Sequence, residues 1–114
     1  MADCLFCGIA KGDIPGDIVY RDESVLAFRD IDPKAPVHLL IIPRKHVAGV
    51  HELEEEDGEA MGHAMTVARR LAVEHGVSES GFRIVVNTGP DAAQSVHHIH
   101  LHLLGGRSMG WPPG

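Results

Sequence analysis

The sequence lacks an apolar run long enough to cross a membrane, and it has no cluster of basic residues. No stretch approaches the roughly 18 apolar residues that a bilayer span needs, and the first residues do not combine a basic segment with an apolar one. The formal net charge is -6, from 10 Lys and Arg against 16 Asp and Glu. Binding of a nucleic-acid backbone depends on Lys and Arg that neutralise phosphates. We therefore expect a cytoplasmic protein that binds neither membranes nor nucleic acids.

Cysteine is scarce as well, with Cys4 and Cys7 as the only two in the chain. This number argues against a disulfide scaffold. The Cys-x-x-Cys spacing is compatible with a redox pair, with two unrelated thiols or with half of a zinc site. A thioredoxin-like motif requires a strand before the helix, which this segment lacks. A structural zinc ion takes four Cys and His ligands, so the pair supplies two of them, and zinc is the favoured interpretation.

The 114 residues are 44% hydrophobic, which suits one domain over residues 1–114 with one core. Periodicity and turn signals predict two helices and five strands, with no repeats and no strand-helix-strand crossovers. We expect an α+β fold in which one long and one short helix pack on an antiparallel five-stranded sheet. The predicted helices are Cys4–Lys11 and Glu55–His75, and the predicted strands are Ile18–Arg21, Val25–Arg29, Val37–Ile42, Phe82–Asn87 and Ser95–Leu104.

The long helix is predicted from apolar residues that recur every three or four positions, which is the pattern of an amphipathic helix. Its acidic start and basic end match the helix macrodipole, and Gly76 is the expected stop. The expected buried stripe consists of Met61, Ala64, Met65, Ala68, Leu71 and Ala72.

Three histidines alternate with aliphatic residues just before Gly105 in the last predicted strand. Successive side chains of a strand point to opposite faces, so His98, His100 and His102 would share one face. Imidazole has the side-chain pKa nearest neutrality, and such a row can supply a nucleophile, a proton carrier and an oxyanion partner. This arrangement favours chemistry on an anion. A metal-binding or merely solvated strand face is the less favoured alternative.

Uncharged hydrogen-bonding side chains accompany the row. Asn87, Gln94 and Ser95 are suited to phosphate oxygens or to a leaving group, although each also fits an ordinary turn or strand start. On the second strand of the predicted hairpin, Phe28 and Asp30 share a face. An aromatic ring and a carboxylate would then lie together on that face.

The motif formed by residues 98–104, His-Ile-His-Leu-His-Leu-Leu, resembles the signature of the histidine triad (HIT) superfamily. The ending of Gly105-Gly106-Arg107 and Trp111-Pro112-Pro113-Gly114 is similar to its histidine triad nucleotide-binding (Hint) branch. The resemblance implies a homodimer whose sheets join. It also implies hydrolysis of purine nucleoside phosphoramidates to a nucleoside monophosphate and an amine.

Roles in the family carry over to matching residues of this chain. The resemblance makes His100 the nucleophile that forms a nucleotidyl-histidine and His102 a phosphate ligand. It implies that His98 fixes the row from behind, that His38 lies beside the row and that Ser95 passes a proton to the amine. The implied nucleotide contacts are Phe6, Ile9, Phe28, Asp30, Ile31, Asn87, Gln94, Ser95, His100 and His102. Similar bacterial members pair their two cysteines with two histidines, which here are His46 and His98, around a structural zinc ion.

His97 departs from the family pattern and points to the opposite face of the strand, so we expect it to be an exposed histidine or one that belongs to a second site, and not a fourth member of the row. Two other functions remain possible. A dinucleoside polyphosphate hydrolase belongs to the same superfamily, but the Hint-type ending argues against it. A nucleotide- or zinc-binding regulatory module with little turnover is the alternative from a different class. For Phe6 and Ile9, core packing is as good an explanation as ligand contact.

Overall fold

The structure, a computed structural model, describes residues 4–114. Five strands form one antiparallel sheet in the order β1-β2-β3-β5-β4, and two α-helices accompany it, as predicted. The elements are α1 (Leu5–Lys11), β1 (Ile18–Arg21), β2 (Val25–Arg29), β3 (Val37–Pro43), α2 (Gly58–Glu74), β4 (Phe82–Val85) and β5 (Leu101–Gly105), with short 3₁₀ turns at Val50–Glu52, Glu55–Asp57 and Pro90–Ala92.

The two faces of the sheet bury separate apolar clusters. Alternation along β2 sends Val25 and Ala27 into the cluster beneath α2 and Leu26 and Phe28 into the cluster beneath α1. The predicted hairpin is confirmed, since β1 and β2 pair across a turn in which Asp22 Oδ1 accepts from the Val25 N–H at 2.9 Å. The sheet therefore separates a face covered by the long helix from a face reached by the short one.

The long helix begins later than predicted and buries a slightly different stripe. Residues 55–57 form a separate 3₁₀ turn, because the Asp57 carboxylate accepts from the Glu54 N–H at 2.9 Å and from Lys45 Nζ at 2.7 Å. Met65 is 48% exposed, whereas Val67 is fully buried. The stripe that faces the sheet is Ala64, Val67, Ala68, Leu71 and Ala72.

The histidine strand is also shorter than the predicted Ser95–Leu104. The strand β5 begins only at Leu101, which pairs with Ile41 near the end of β3. Beyond that point β3 stops at Pro43, which has no N–H for a ladder. The Ile99 N–H instead donates to the carbonyl oxygen of Val47 at 2.6 Å. His98 and His100 therefore lie before the strand, and the strand β4 likewise ends at Val85 and not at Asn87.

Candidate active site and metal centre

The strand register brings two of the predicted histidines together on the face beneath α1. His102 of β5 is opposite Leu40 of β3, and His38 lies two residues before Leu40 on the same strand. Side chains two positions apart share a face, so His38 and His102 are diagonal neighbours on adjacent strands. His38 Nε2 lies 2.9 Å from His102 Nδ1. The hydrogen-bond partner of His102 therefore comes from β3 and not from the motif of residues 98–104.

Hydrogen bonds determine which nitrogen carries the proton in each ring. The Lys34 N–H donates to His38 Nδ1 at 3.0 Å, so neutral His38 carries its proton on Nε2. That proton faces His102 Nδ1, with Asp30 Oδ2 at 3.4 Å on its other side. His102 Nδ1 is then an acceptor, and the proton of neutral His102 sits on Nε2.

His100 is held by the backbone. Its Nδ1–H donates to the carbonyl oxygen of His98 at 2.7 Å, which leaves Nε2 of the neutral ring with a free lone pair. The ring is 4% exposed and meets the Phe6 ring edge-on at a centroid distance of 5.1 Å. The His100 and His102 rings are 4.9 Å apart. The ring with the free lone pair and the ring of His102 are therefore neighbours.

Burial favours the neutral forms of His102 and His38. Desolvation, reinforced by the neighbouring His100 and His38, lowers the pKa of His102 to about 4. Desolvation also lowers the pKa of His38, against the opposing effect of Asp30. Neutral rings can act as a nucleophile and as hydrogen-bond donors at physiological pH.

A cavity of about 230 Å³ opens beside the two triad histidines. Phe6 and Phe28 form its apolar wall, with ring centroids 5.2 Å apart in an edge-to-face arrangement. Ile31 is 99% exposed and lies at the rim. Eight of the predicted nucleotide contacts line this cavity, namely Phe6, Ile9, Phe28, Asp30, Ile31, Ser95, His100 and His102.

The other two predicted nucleotide contacts lie outside the cavity lining. The Gln94 side-chain amide stabilises the loop before β5. Its Nε2 donates to the carbonyl oxygens of Ala48 and Val96, and its Oε1 accepts from the Gly89 N–H. Asn87 follows β4 and is half-buried. His97 is exposed, as predicted.

Sequence reasoning missed two contributors to the site. Arg29 lines the cavity and forms an ion pair with Asp17 at 3.1 Å, and the Lys34 backbone amide sets the His38 tautomer. Alternation places Arg29 on the opposite face of β2 from Phe28 and therefore gives no signal for it. A backbone N–H has no sequence signal at all.

The predicted zinc ligands converge behind the histidine row. The ligand atoms of Cys4, Cys7, His46 and His98 all lie within 4.8 Å of one another. The distances from Sγ to Nδ1 are 3.4 Å for Cys4 and His98, 3.6 Å for Cys7 and His98, and 3.3 Å for Cys7 and His46. A tetrahedral zinc ion separates a sulfur from a nitrogen by about 3.5–3.6 Å. The four side chains therefore fit such an ion.

The surroundings of these side chains also suit a metal. His98 Nε2–H donates to the carbonyl oxygen of Pro43 at 2.8 Å, which leaves Nδ1 unprotonated and directed at the sulfurs. The Cys7 N–H donates to Cys4 Sγ at 3.3 Å.

A second group, Asp30, His38 and His102, also lies close enough to share an ion. There, however, the Lys34 N–H requires the proton on His38 Nε2, the nitrogen that an ion would need.

Comparisons with known proteins agree with this geometry. The model of the HIT domain family matches residues 11–109. A 14 kDa zinc-binding protein of Zea mays is 51% identical over 112 residues, covering 96% of this chain and 87% of that protein. A solved HIT family hydrolase from Legionella pneumophila superposes with a TM-score of 0.96 at 52% identity, covering 98% of this chain and 100% of that one.

A less similar protein of solved structure is named a nucleotide-binding protein. The histidine triad nucleotide-binding protein from Candida albicans superposes with a TM-score of 0.83 at 31% identity, covering 96% of this chain and 83% of that one. Within residues 4–114, neither helix combines the length and the hydropathy that a membrane crossing requires.

Proposed function

The chain belongs to the HIT domain family, and from this premise we propose that it is a nucleotide-binding hydrolase. The proposed substrates are purine nucleoside phosphoramidates, which it converts to a nucleoside monophosphate and an amine. One observation carries the proposal: the hydrogen bond from His100 Nδ1–H to the His98 carbonyl oxygen leaves an unprotonated Nε2 next to the cavity. The Legionella relative is named a hydrolase.

In the first proposed step, His100 Nε2 attacks the α-phosphorus with its lone pair. The phosphorus–nitrogen bond to the amine breaks, and the amine nitrogen keeps that electron pair and takes a proton through the Ser95 hydroxyl. Water then attacks the phosphorus of the nucleotidyl-histidine and gives up one proton through the Ser95 hydroxyl, which replaces the proton that the amine took. The bond between phosphorus and His100 breaks, and the neutral imidazole is restored as the monophosphate leaves.

His102 binds the phosphate in this proposal. Its Nε2–H donates to a non-bridging oxygen, and a donor that is already oriented stabilises the charge that develops during attack. His38 holds His102 in that tautomer through the 2.9 Å hydrogen bond between their rings. His98 contributes the carbonyl that orients His100. A neutral donor suits a site whose burial disfavours extra charge.

The nucleoside occupies the cavity beneath α1. Phe6, Ile9 and Phe28 offer apolar surface to the base, and Ile31 covers it from the rim. Asp30 accepts from the ribose hydroxyls with the lone pairs that its bond from the Asp32 N–H leaves free. For Asn87 and Gln94, which lie outside the cavity lining, we propose contacts at the leaving-group side.

A structural zinc ion held by Cys4, Cys7, His46 and His98 is part of the proposal. The ion would tie α1 to the segment before β5 and keep His98 in its ligating tautomer. The Zea mays relative is named a zinc-binding protein, and the donor set fits a tetrahedral ion. Thiolate ligands suit a reducing compartment, so we propose that the protein works in the cytoplasm.

We also propose a homodimer whose sheets join. The strand β4 lies at an edge of the sheet, and such an edge leaves backbone groups free to pair with another copy. Exposed apolar side chains at Phe82 on β4 and at Met65 and Val73 on α2 are suited to burial in the same contact.

Release of AMP from an adenosine phosphoramidate tests the proposed function. We expect turnover by the purified protein, none by His100→Ala, and unchanged AMP binding by that variant, because its aromatic wall is intact. His97→Ala is the matched control, since this exposed neighbour lies outside the cavity lining. Equal turnover by His100→Ala would refute the mechanism. Preferred cleavage of diadenosine polyphosphates would favour the alternative hydrolase, and AMP binding without turnover would favour a regulatory module.

A further inference from the structure

The segment of residues 105–107, Gly-Gly-Arg, begins with the last residue of β5 and lies outside the cavity lining, so substrate binding does not explain it. Arg107 is exposed, and its Nε donates to the carbonyl oxygen of Lys34 at 2.8 Å. A Cβ on Gly106 would come within 2.9 Å of the Pro36 side chain, and Gly106 has a φ of 92°. The segment therefore packs tightly against the loop between β2 and β3.

Lys34, which Arg107 holds, faces the catalytic histidines through its backbone. Its N–H donates to His38 Nδ1 at 3.0 Å, whereas its ammonium group pairs with the exposed Asp32 at 2.6 Å. Only the amide of Lys34 therefore contacts the site. Three hydrogen bonds thus connect Arg107 to His102, the first to the carbonyl oxygen of Lys34, the second from its N–H to His38, and the third between the two imidazole rings.

We propose that Arg107 and the Lys34 amide are positioning groups, which fix the His38 tautomer and so make His102 a donor to the phosphate. An N–H facing His38 Nδ1 excludes a proton from that nitrogen. Without it, His38 can carry its proton on Nδ1 and accept from His102 through Nε2. His102 Nε2 would then direct a lone pair at phosphate oxygens, which repel it. The Lys34 amide hydrogen thus sets the polarity of both rings, and the Asp30 carboxylate 3.4 Å from His38 Nε2 favours the same tautomer.

That His102 binds a phosphate rests on the proposed function. The tautomers of His38 and His102 do not, because they exist in the protein without substrate. Proton–nitrogen correlation spectra of nitrogen-labelled protein report directly which imidazole nitrogen is protonated. This measurement needs no substrate and no turnover. It therefore separates a failure of the tautomer proposal from a failure of the proposed function.

Four variants test the chain of hydrogen bonds. Lys34→Pro removes the amide hydrogen, and Lys34→Ala removes only the ammonium group. Arg107→Ala releases the Lys34 carbonyl. Arg83→Ala is its matched control, because Arg83 Nη2 donates to the Gly110 carbonyl oxygen at 2.8 Å in the same C-terminal segment without reaching Lys34.

We expect His38 to be protonated on Nε2 in the wild type, in Lys34→Ala and in Arg83→Ala. In Lys34→Pro and Arg107→Ala we expect a mixture of tautomers. For an adenosine phosphoramidate, kcat should fall about tenfold in Lys34→Pro, which is the effect of one net hydrogen bond. Arg107→Ala should show a smaller fall. KM and AMP affinity should stay the same, because the aromatic wall is untouched.

An unchanged His38 tautomer in folded Lys34→Pro and Arg107→Ala would overturn the proposal. An equal loss of kcat in Arg83→Ala and Arg107→Ala would also overturn it, since general loosening of the C-terminal segment would then explain both. If Lys34→Pro does not fold, the arginine pair decides the question alone. A wild type without turnover would refute the proposed function, while the spectra would still decide the tautomers.

Discussion

Three histidines of one motif have three different hydrogen-bond partners. His98 donates to the Pro43 carbonyl oxygen, His100 donates to the His98 carbonyl oxygen, and His102 accepts from His38. These partners leave unprotonated nitrogens on the first two rings and a protonated one on the third. In our account the first nitrogen binds a metal, the second attacks phosphorus and the third binds phosphate. The partners, and not the residue type, separate the roles.

The depressed pKa of His102 makes stability depend on pH. Folding lowers this pKa from 6.5 to about 4 because of burial and of the neighbouring His100 and His38. Between these values the unfolded chain binds more protons than the folded one, so acid favours unfolding. We expect the contribution of His102 to be complete above pH 6.5 and to be lost as the pH falls towards about 4.

Urea unfolding at a series of pH values tests this expectation. The free energy of unfolding should fall more steeply with acid in the wild type than in His102→Asn, which cannot titrate in this range. Comparing the two variants cancels any acid-induced loss of metal, since both keep the four Cys and His ligands. Parallel curves for the two proteins would show that the His102 pKa is not depressed.

The short helix α1 belongs to both centres of the molecule. Cys4 caps its start, with its sulfur accepting from the Cys7 N–H, and Gly12 ends it in the left-handed conformation. Phe6 and Ile9 of this helix line the cavity, while Cys7 lies against His46. A helix of 7 residues is too short to be stable alone. A zinc ion would therefore support the cavity beneath α1.

We predict about one zinc ion per chain by elemental analysis of protein purified without chelator. The double variant Cys4→Ala/Cys7→Ala should contain none, unfold at a lower temperature and bind AMP more weakly, because α1 loses its tether. His97→Ala is the control and should keep its zinc. Zinc retained by the double variant would refute the four-ligand site.

The sequence predicts the helices and strands themselves better than their exact ends and buried faces. Period and turn signals were enough for the sheet, the hairpin and both helices, because these depend on local alternation. The start of β5 depends on where its neighbour β3 ends, at Pro43, and Val47 then captures the Ile99 N–H. Such a long-range partner has no local signal. The stripe on α2 likewise shifted from Met65 to Val67, because docking on the sheet sets the helix rotation.

At the candidate site, too, local sequence signals predict some features and long-range contacts determine the others. The motif spacing brought His100 and His102 to one cavity, and family resemblance added His38, whose place beside His102 follows from the register of β3 and β5. The Lys34 amide and the carbonyl oxygens of Pro43 and His98 could not be predicted, because every residue has these groups. Only the fold shows which of them face a histidine.

For the whole molecule, the arrangement of the sheet leaves one side of the histidine strand close to an edge. The strand β5 lies between β3 and β4, and β4 has no further neighbour within residues 4–114. A second copy pairing along β4 would extend the sheet and cover Phe82, which is 37% exposed. The proposed dimer would therefore support β5 from the side opposite His38.

We predict that light scattering gives the mass of a dimer, whereas Phe82→Glu lowers the apparent mass towards that of a monomer. A charge on each β4 would lie near its counterpart and repel it. Leu5→Glu is the control, because this residue is also exposed and apolar but lies on α1. A monomeric wild type, or a Phe82→Glu variant that remains fully dimeric, would contradict this interface.

The proposed mechanism requires His100 to form a covalent bond to phosphorus. The stereochemical course of hydrolysis tests it most directly, with an adenosine phosphoramidate made chiral at phosphorus by sulfur and with isotopically labelled water. Attack by His100 followed by attack by water inverts the phosphorus centre at each step. We expect net retention of configuration. Net inversion would mean that water attacks the substrate directly, and it would contradict the assignment of His100 as the nucleophile.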